Sequence, residues 1–386
     1  MEKVTEMIIN VGVNDPELTL FEGQYALEKG MAYNSYVILD QKTAVLDTVD
    51  SHVSEAWMED LDKALAGRTA DYLIVQHMEP DHSGSIEKLA ERFPEMKIVA
   101  SAAAFTMMKQ FFAADLQSRA VVVKEGDTLA LGEHTLQFFA APMVHWPEVI
   151  VTYEQTEKVV FSADAFGKFG TRDADEDWTC EARRYYFNIC GKYGMQVQAL
   201  LKKLAALDIS VICPLHGPVL TEDLGYYIDK YMTWSRYEPE DKGVFIAYAS
   251  IYGHTKEAAL KLQELLEQKG VEKTSLCDLC RDDMHEAVED AFRYDRLVLA
   301  AASYDAGVFP PMEDFLHHLK AKNYQKRTVA IIENGSWAPT ASKTMKALLE
   351  GMKEITVLEP VVTIRSAMKP ENVIQLTEMA DALLQK

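Results

Sequence analysis

The segment His77-Met78-Glu79-Pro80-Asp81-His82 places four side chains of metal-binding type within six residues. Two imidazoles and two carboxylates so close together, directly after the apolar run Tyr72-Leu73-Ile74-Val75, make a loop able to wrap around a cation. Three more candidates stand just past apolar runs. His145 follows Ala140-Ala141-Pro142, Asp164 follows Val159-Val160-Phe161, and His216 follows Val211-Ile212-Cys213. Strand ends along one edge of a sheet converge, so these seven side chains can face one cleft. Two metal ions need about that many ligands, with one carboxylate, here Asp164, shared between them. A lone histidine at a strand end more often makes a structural hydrogen bond, and His285, His317 and His318 are read that way.

A second constellation lies further along. After the apolar strand Val244-Phe245-Ile246-Ala247-Tyr248 comes Ser250-Ile251-Tyr252-Gly253-His254-Thr255, and then a helix. Hydroxyls, a glycine and free backbone N–H groups at a helix start make a phosphate cradle. The Lys-Ser/Thr pair of a P-loop and the repeated glycines of GxGxxG are both missing. Two later loops follow strands: Ser303-Tyr304-Asp305-Ala306-Gly307, and Asn334-Gly335-Ser336-Trp337-Ala338. In a doubly wound sheet such loops lie at the carboxyl edge beside the first one, where ligands bind. Tyr304 and Trp337 offer flat faces to a ring system, while Gly307 and Gly335 let the backbone approach it.

These groups must be positioned by two different scaffolds. The first part of the chain reads as many short strands, among them Tyr36–Leu39, Ala44–Leu46, 72–75, 120–123, 136–139, 159–161 and 211–213. Helices such as Ser54 to Leu65 and Gly84 to Arg92 lie between them. A polar seam with Pro239 and Gly243 separates this part from a regular alternation of strand and helix. There, strands at 244–248, 297–301 and 329–332 are followed by helices around 256–268, 312–319 and 340–352. That rhythm implies a parallel, doubly wound sheet. The expected domains are residues 1–242 and 243–386.

Composition narrows the function classes. The 386 residues carry 60 acidic and 39 basic side chains, a net charge of −21. So acidic a surface repels phosphate backbones, which argues against nucleic-acid binding. No apolar run approaches the roughly 20 residues that span a bilayer. Met1-Glu2-Lys3-Val4-Thr5-Glu6 is not a signal peptide. Five cysteines, an odd number in a long chain, argue for a reducing compartment and thus a cytoplasmic location.

The metal-type spacing resembles the metallo-β-lactamase superfamily, whose motif is His-x-His-x-Asp-His followed by a distant His, Asp and His. Here Glu79 stands in place of the second His. A carboxylate there makes the site harder and more anionic, which suits iron better than zinc. That substitution, together with the later loops, resembles the flavodiiron proteins over nearly the entire chain. The resemblance implies an N-terminal metallo-β-lactamase-like αββα sandwich followed by a flavodoxin-like domain, an α/β chain overall. It implies two non-haem irons, one on His77, Glu79 and His145, the other on Asp81, His82 and His216, with Asp164 bridging. It also implies FMN on the three later loops, since the fold is short and no acidic ribose ligand follows a Gly-rich turn. Tyr193 is a candidate donor just outside the metal ligands, although a buried structural tyrosine is the commoner case.

The activity implied is reduction of nitric oxide to nitrous oxide, or of dioxygen to water. Electrons would come from a small carrier such as rubredoxin, in a head-to-tail homodimer or a dimer of such dimers. Two other classes stand beside it. One is a zinc hydrolase with an appended flavodoxin-like domain, and the other a flavodoxin-type electron carrier whose first domain only docks partners. Cys277-Asp278-Leu279-Cys280 is a lone CxxC, half of what a rubredoxin-type iron site needs, and is read as structural. The run Asp173-Ala174-Asp175-Glu176-Asp177 is expected as a solvated loop.

Overall fold

The computed structural model describes residues 1–385. By its internal contacts the chain falls into two compact units. One comprises Met1–Tyr186 and Met195–Met232, the other Phe187–Gly194 and the chain from Thr233 onward.

The first unit is built on two sheets. In the larger, the spatial order is Glu2–Lys3, Ile8–Asn10, Tyr36–Leu39, Thr43–Leu46, Tyr72–Ile74, Lys97–Ala100 and Ala120–Val122. The smaller runs Thr128–Ala130, Thr135–Ala140, Ile150–Glu154, Val159–Phe161 and Val211–Cys213. Inward residues of both, including Tyr36, Ile38, Leu46, Ile74, Leu136, Phe138, Phe161 and Cys213, form one dry core. This is the sandwich layering, with helices outside. Ser54–Leu65 buries Trp57, Met58, Leu61 and Leu65, the spacing of one helical face, and ends at Ala66 in the left-handed region. Ala102–Phe111 starts where the Ser101 side chain accepts from Ala104 N.

The strand register explains the convergence expected above. Phe161 pairs with Cys213 in parallel, so Asp164 and His216 leave neighbouring strands at matching positions. Ile74 pairs with Leu46, which brings Asp47 beside the start of the His77 loop. The stretch read as a helix from Gly84 to Arg92 is helical from Ile86 to Arg92, and a separate short helical turn, Pro80–Ser83, precedes it. Pro80 fits the first turn because its missing N–H has no partner there to lose, and Asp81 and His82 therefore leave a helical turn rather than an open loop.

The second unit holds an all-parallel main sheet. Its spatial order is Thr274–Asp278, Asp241–Ala249, Tyr294–Tyr304 and Arg327–Asn334, followed by Ile355–Val357 and Val362–Ile364, which both pair with the last of these. The order reverses between Asp241–Ala249 and Tyr294–Tyr304, the switch point where a crevice opens at the carboxyl edge. One face of the sheet packs against His254–Gln268 and Pro370–Leu384 through Val244, Ile246, Leu262, Leu266, Ile332 and Leu376. On the other face Phe245 meets Phe315 of the helix Pro310–Ala321.

Candidate metal centre and cofactor cleft

All seven metal-type side chains come together in the first unit. His77, Glu79, His145 and Asp164 form one group, and Asp81, His82 and His216 a second, with the ligand atoms in each group within 4.8 Å of one another. Asp164 touches both. Its Oδ2 lies 3.3 Å from His77 Nε2 and 3.0 Å from His145 Nε2. Its Oδ1 lies 3.2 Å from His82 Nε2 and 3.8 Å from His216 Nε2. Glu79 Oε2 completes the first group at 3.0 Å from His145 Nε2, and Asp81 Oδ2 the second at 3.2 Å from both His82 and His216.

The donor set fits a pair of cations on three counts. Both oxygens of Asp81 and of Asp164 are buried without a hydrogen-bond partner. Such groups are expensive unless something positive meets them. The Nε2 atoms of His77 and His145 lie 3.2 Å apart, and those of His82 and His216 3.0 Å apart. Two imidazole lone pairs cannot face one another at that range without a proton or a metal between them. Burial works against charge on these groups, yet the partners outweigh it. Asp164, Asp81 and Glu79 are held below the usual carboxylate range by their histidines. Against the same burial, the carboxylates push His82 up to about 10 and His145 to about 9, and raise His77 well above its ordinary value.

Outside this set stand residues that spacing alone did not reveal. Glu148 Oε1 accepts from His77 Nδ1 and from the Met78 backbone N–H, and the Ala32 carbonyl accepts from His216 Nδ1 at 2.8 Å. Each bond leaves the Nε2 lone pair turned inward. Asp47 accepts from the Gln76 backbone and side chain and from His77 N, tying down the start of the loop. Burial lifts its carboxyl to about 6 even so. Phe21 meets the His216 ring edge-on at 5.6 Å, and Tyr185 lies against it at 5.4 Å. A cleft of about 350 Å³, lined by Leu18, Leu20, Phe21, Tyr33 and His52, opens onto Glu79 and Asp81. Tyr193 stands on the turn Gly191–Tyr193, which groups by its contacts with the second unit, with Lys192 Nζ 5.8 Å from its ring.

The second unit carries a cleft of about 460 Å³ at its switch point. That is within the range of small-molecule sites. All three expected loops line it: Ser250, Ile251, Tyr252, His254 and Thr255 from the first, Ser303 to Ala306 from the second, Asn334 to Ala338 from the third. Gly253 and Gly307 do not line the cleft, and Gly307 stands in the short strand Gly307–Val308. Gly253 has φ +97° at the start of the helix His254–Gln268, where a Cβ would meet nothing. Tyr252 and Trp337 are 91% and 88% exposed beside the cleft, large rings left in water where a flat ligand would cover them. Ala302, Thr340 and Ser366 also line it and had not been expected. Ser366 arrives on the loop after Val362–Ile364, and its Oγ bonds Ser336 Oγ at 2.9 Å.

Comparison with known proteins agrees with this division. Residues 31–217 match the ODP family beta lactamase model, and residues 245–361 a flavodoxin domain. The Moorella thermoacetica protein named nitric oxide reductase is 28% identical over 389 residues, 97% of this chain and 96% of that one. Rubredoxin-oxygen oxidoreductase of Megalodesulfovibrio gigas is 27% identical over 356 residues, 89% and 87% of the two chains. The solved rubredoxin oxygen:oxidoreductase of Desulfovibrio gigas superposes with a TM-score of 0.92 at 25% identity, covering 99% of this chain and 97% of that one. With a lactamase-type centre rich in carboxylate and a flavodoxin-type cleft on the same chain, the protein belongs to the flavodiiron proteins.

Proposed function

We propose that this chain is an electron-fed oxidoreductase that reduces nitric oxide to nitrous oxide, dioxygen to water, or both, using FMN and two non-haem irons. The observation that carries the reading is Asp164, whose two oxygens face two separate histidine groups in one buried site. FMN supplies one- and two-electron chemistry, and a di-iron pair supplies open positions for a diatomic ligand. His77, Glu79 and His145 would hold one iron, Asp81, His82 and His216 the other, and Asp164 both. Glu148 and the Ala32 carbonyl fix the tautomers of His77 and His216, so their Nε2 atoms are ready as ligands. The rings of Phe21 and Tyr185 shield His216 from solvent, leaving a cleft wide enough for a small gas.

The lactamase-like part is taken as residues 1–242 and the flavodoxin-like part as 243–386. The electron donor is a separate rubredoxin-type protein. The active form is a head-to-tail homodimer, or a dimer of such dimers, in which the flavin of one subunit serves the irons of its partner. Among the described residues no helix is long and apolar enough to cross a membrane. The odd count of five cysteines suits a cytoplasmic, reducing setting.

Anaerobically purified protein should contain about two irons and one FMN per chain and should consume NO or O₂ when a reduced rubredoxin is supplied. Zinc without iron, from cells grown in iron-replete medium, would replace this reading with a hydrolase. A sizing column coupled to the gas assay tests the dimer, which a fully active monomer would refute.

A further inference from the structure

We propose a third cation site in the first unit, for a divalent metal of the zinc type, held by His134, Glu154 and Glu157 at the opposite strand ends from the seven-ligand centre. Three of those ligands, His145, Asp164 and His216, follow Ala140, Phe161 and Cys213 at one end of the smaller sheet. His134 immediately precedes the strand Thr135–Ala140, Glu154 ends the strand Ile150–Glu154, and Glu157 lies in the turn before Val159. The same strands therefore carry a second cluster at their far ends. One ligand atom from each of the three residues lies within 4.8 Å of the others.

The second observation is the state of His134 itself. It is 3% exposed, and its Nε2 has no hydrogen-bond partner. Asp40 Oδ2 accepts from the His134 backbone N–H at 2.7 Å and faces Nδ1 at 2.9 Å. A carboxylate can only accept, so Nδ1 carries the proton and Nε2 presents a lone pair. That lone pair is turned toward Glu157, with Oε2 at 3.5 Å, an acceptor facing an acceptor. A carboxylate behind a histidine whose other nitrogen faces further carboxylates is the arrangement that tunes metal-bound imidazoles.

Both glutamates are fixed but not saturated. Glu154 is fully buried and accepts from Thr156 N at 2.8 Å and Glu157 N at 2.6 Å. Glu157 Oε2 accepts from Thr5 Oγ1 at 2.5 Å. Each carboxylate has about four lone-pair positions, so both keep capacity for a cation. The Glu157 side chain retains 23% exposure, which gives an ion a route from solvent and leaves room for water as a fourth ligand. The turn is shaped around Asp40: Gly132 has φ +143°, and a Cβ there would lie 2.5 Å from Asp40 Oδ1. The ion would join the N-terminal segment at Thr5, the hairpin at His134 and the turn at Glu157.

The test uses iron- and FMN-loaded protein titrated with zinc sulfate, with both zinc and iron measured per chain after desalting. One zinc per chain should be gained with no iron lost, and zinc should raise the Tm of the wild-type protein. Glu157→Gln, at a partly exposed position, and His134→Gln should each weaken zinc binding at least tenfold and abolish the rise in Tm. The proposal is overturned if the wild type takes up no zinc, if zinc enters only in exchange for iron, or if E157Q binds it as tightly as wild type. Those results would leave His134, Glu154 and Glu157 as a structural cluster that holds the hairpin to the turn.

Discussion

Glu148 receives two hydrogen bonds on one carboxylate oxygen, from His77 Nδ1 and from the Met78 backbone N–H, each at 2.8 Å. Because the Met78 donor is a peptide N–H and Glu148 can only accept, the carboxylate locks both the position and the tautomer of His77. Glu148→Gln preserves the shape and removes the charge. Outer partners of this kind are worth about 10- to 100-fold in metal affinity. The variant should lose iron to a chelator at least tenfold faster than wild type, with FMN content unchanged. Equal rates of iron loss would show that Glu148 only fills space.

Asp164→Asn should be more severe, since one side chain serves both histidine groups. An amide offers a single oxygen, so it can satisfy one group and not both. Iron content should fall below about one per chain, and NO and O₂ consumption should be lost. Reduction of the flavin by the donor should continue. Gas consumption at wild-type rates would show that Asp164 does not serve the reaction.

Stability should decline in mild base. Burial, aided by Asp282 and Asp290, pushes the Cys277 thiol up to about 12, and burial likewise raises Cys213, Tyr36 and Tyr324. These acids stay neutral in the fold, whereas unfolded thiols ionise near about 8.5 and phenols near about 10. Their folded values lie above the unfolded ones, so the stabilisation is complete below about pH 8.5. It is lost as pH rises from there toward the folded values, by up to about 1.4 kcal/mol per unit for each group. Urea midpoints of the protein should fall most steeply between about pH 8.5 and 10.5, where these thiols and phenols add to any loss from the histidines. A flat profile would mean that these groups are not shielded from water.

Two substitutions separate flavin binding from folding. Gly253→Ala meets no atom but forces a left-handed φ at the helix start, costing about 1–2 kcal/mol. FMN should be lost with only a modest fall in Tm. Trp337→Ala removes a ring that water already surrounds, so stability should change by less than about 0.5 kcal/mol. FMN affinity should drop about 2- to 10-fold, the worth of one ring contact. Unchanged affinity in the fluorescence titration would place Trp337 outside the flavin site.

The ligands were legible because His77, Glu79, Asp81 and His82 are crowded into one short segment, and the others follow conspicuous apolar strands. Their supports were not. Glu148 and Asp47 are single acids with no spacing to mark them, and only strand register brings them to His77. The same holds for His134, Glu154 and Glu157, whose meeting depends on a hairpin closing. In the second unit the strands Asp241–Ala249 and Arg327–Asn334 were visible as apolar runs. Thr274–Asp278 was hidden by its polar residues, and Val362–Ile364 is three residues long, so Ser366 went unseen. The helix expected from Gly84 is present from Ile86 to Arg92, whereas the short turn Pro80–Ser83 before it was not expected.

The first metal-type ligand, His77, and the last, His216, are separated by 139 positions of chain (216 − 77). On a ribosome adding about 5–20 residues per second, roughly 7 to 28 seconds pass between their synthesis. For the first half of that interval His77, Glu79, Asp81 and His82 are made while His145, Asp164 and His216 are not. The nascent segment is a partial chelator with no shared carboxylate, open to whichever divalent ion is most abundant or binds most tightly. The strand Val211–Cys213 delivers His216 by pairing beside Val159–Phe161, so the complete cage depends on the last strand of that sheet in chain order. The cage of seven side chains can therefore be complete only once the end of its domain has been made.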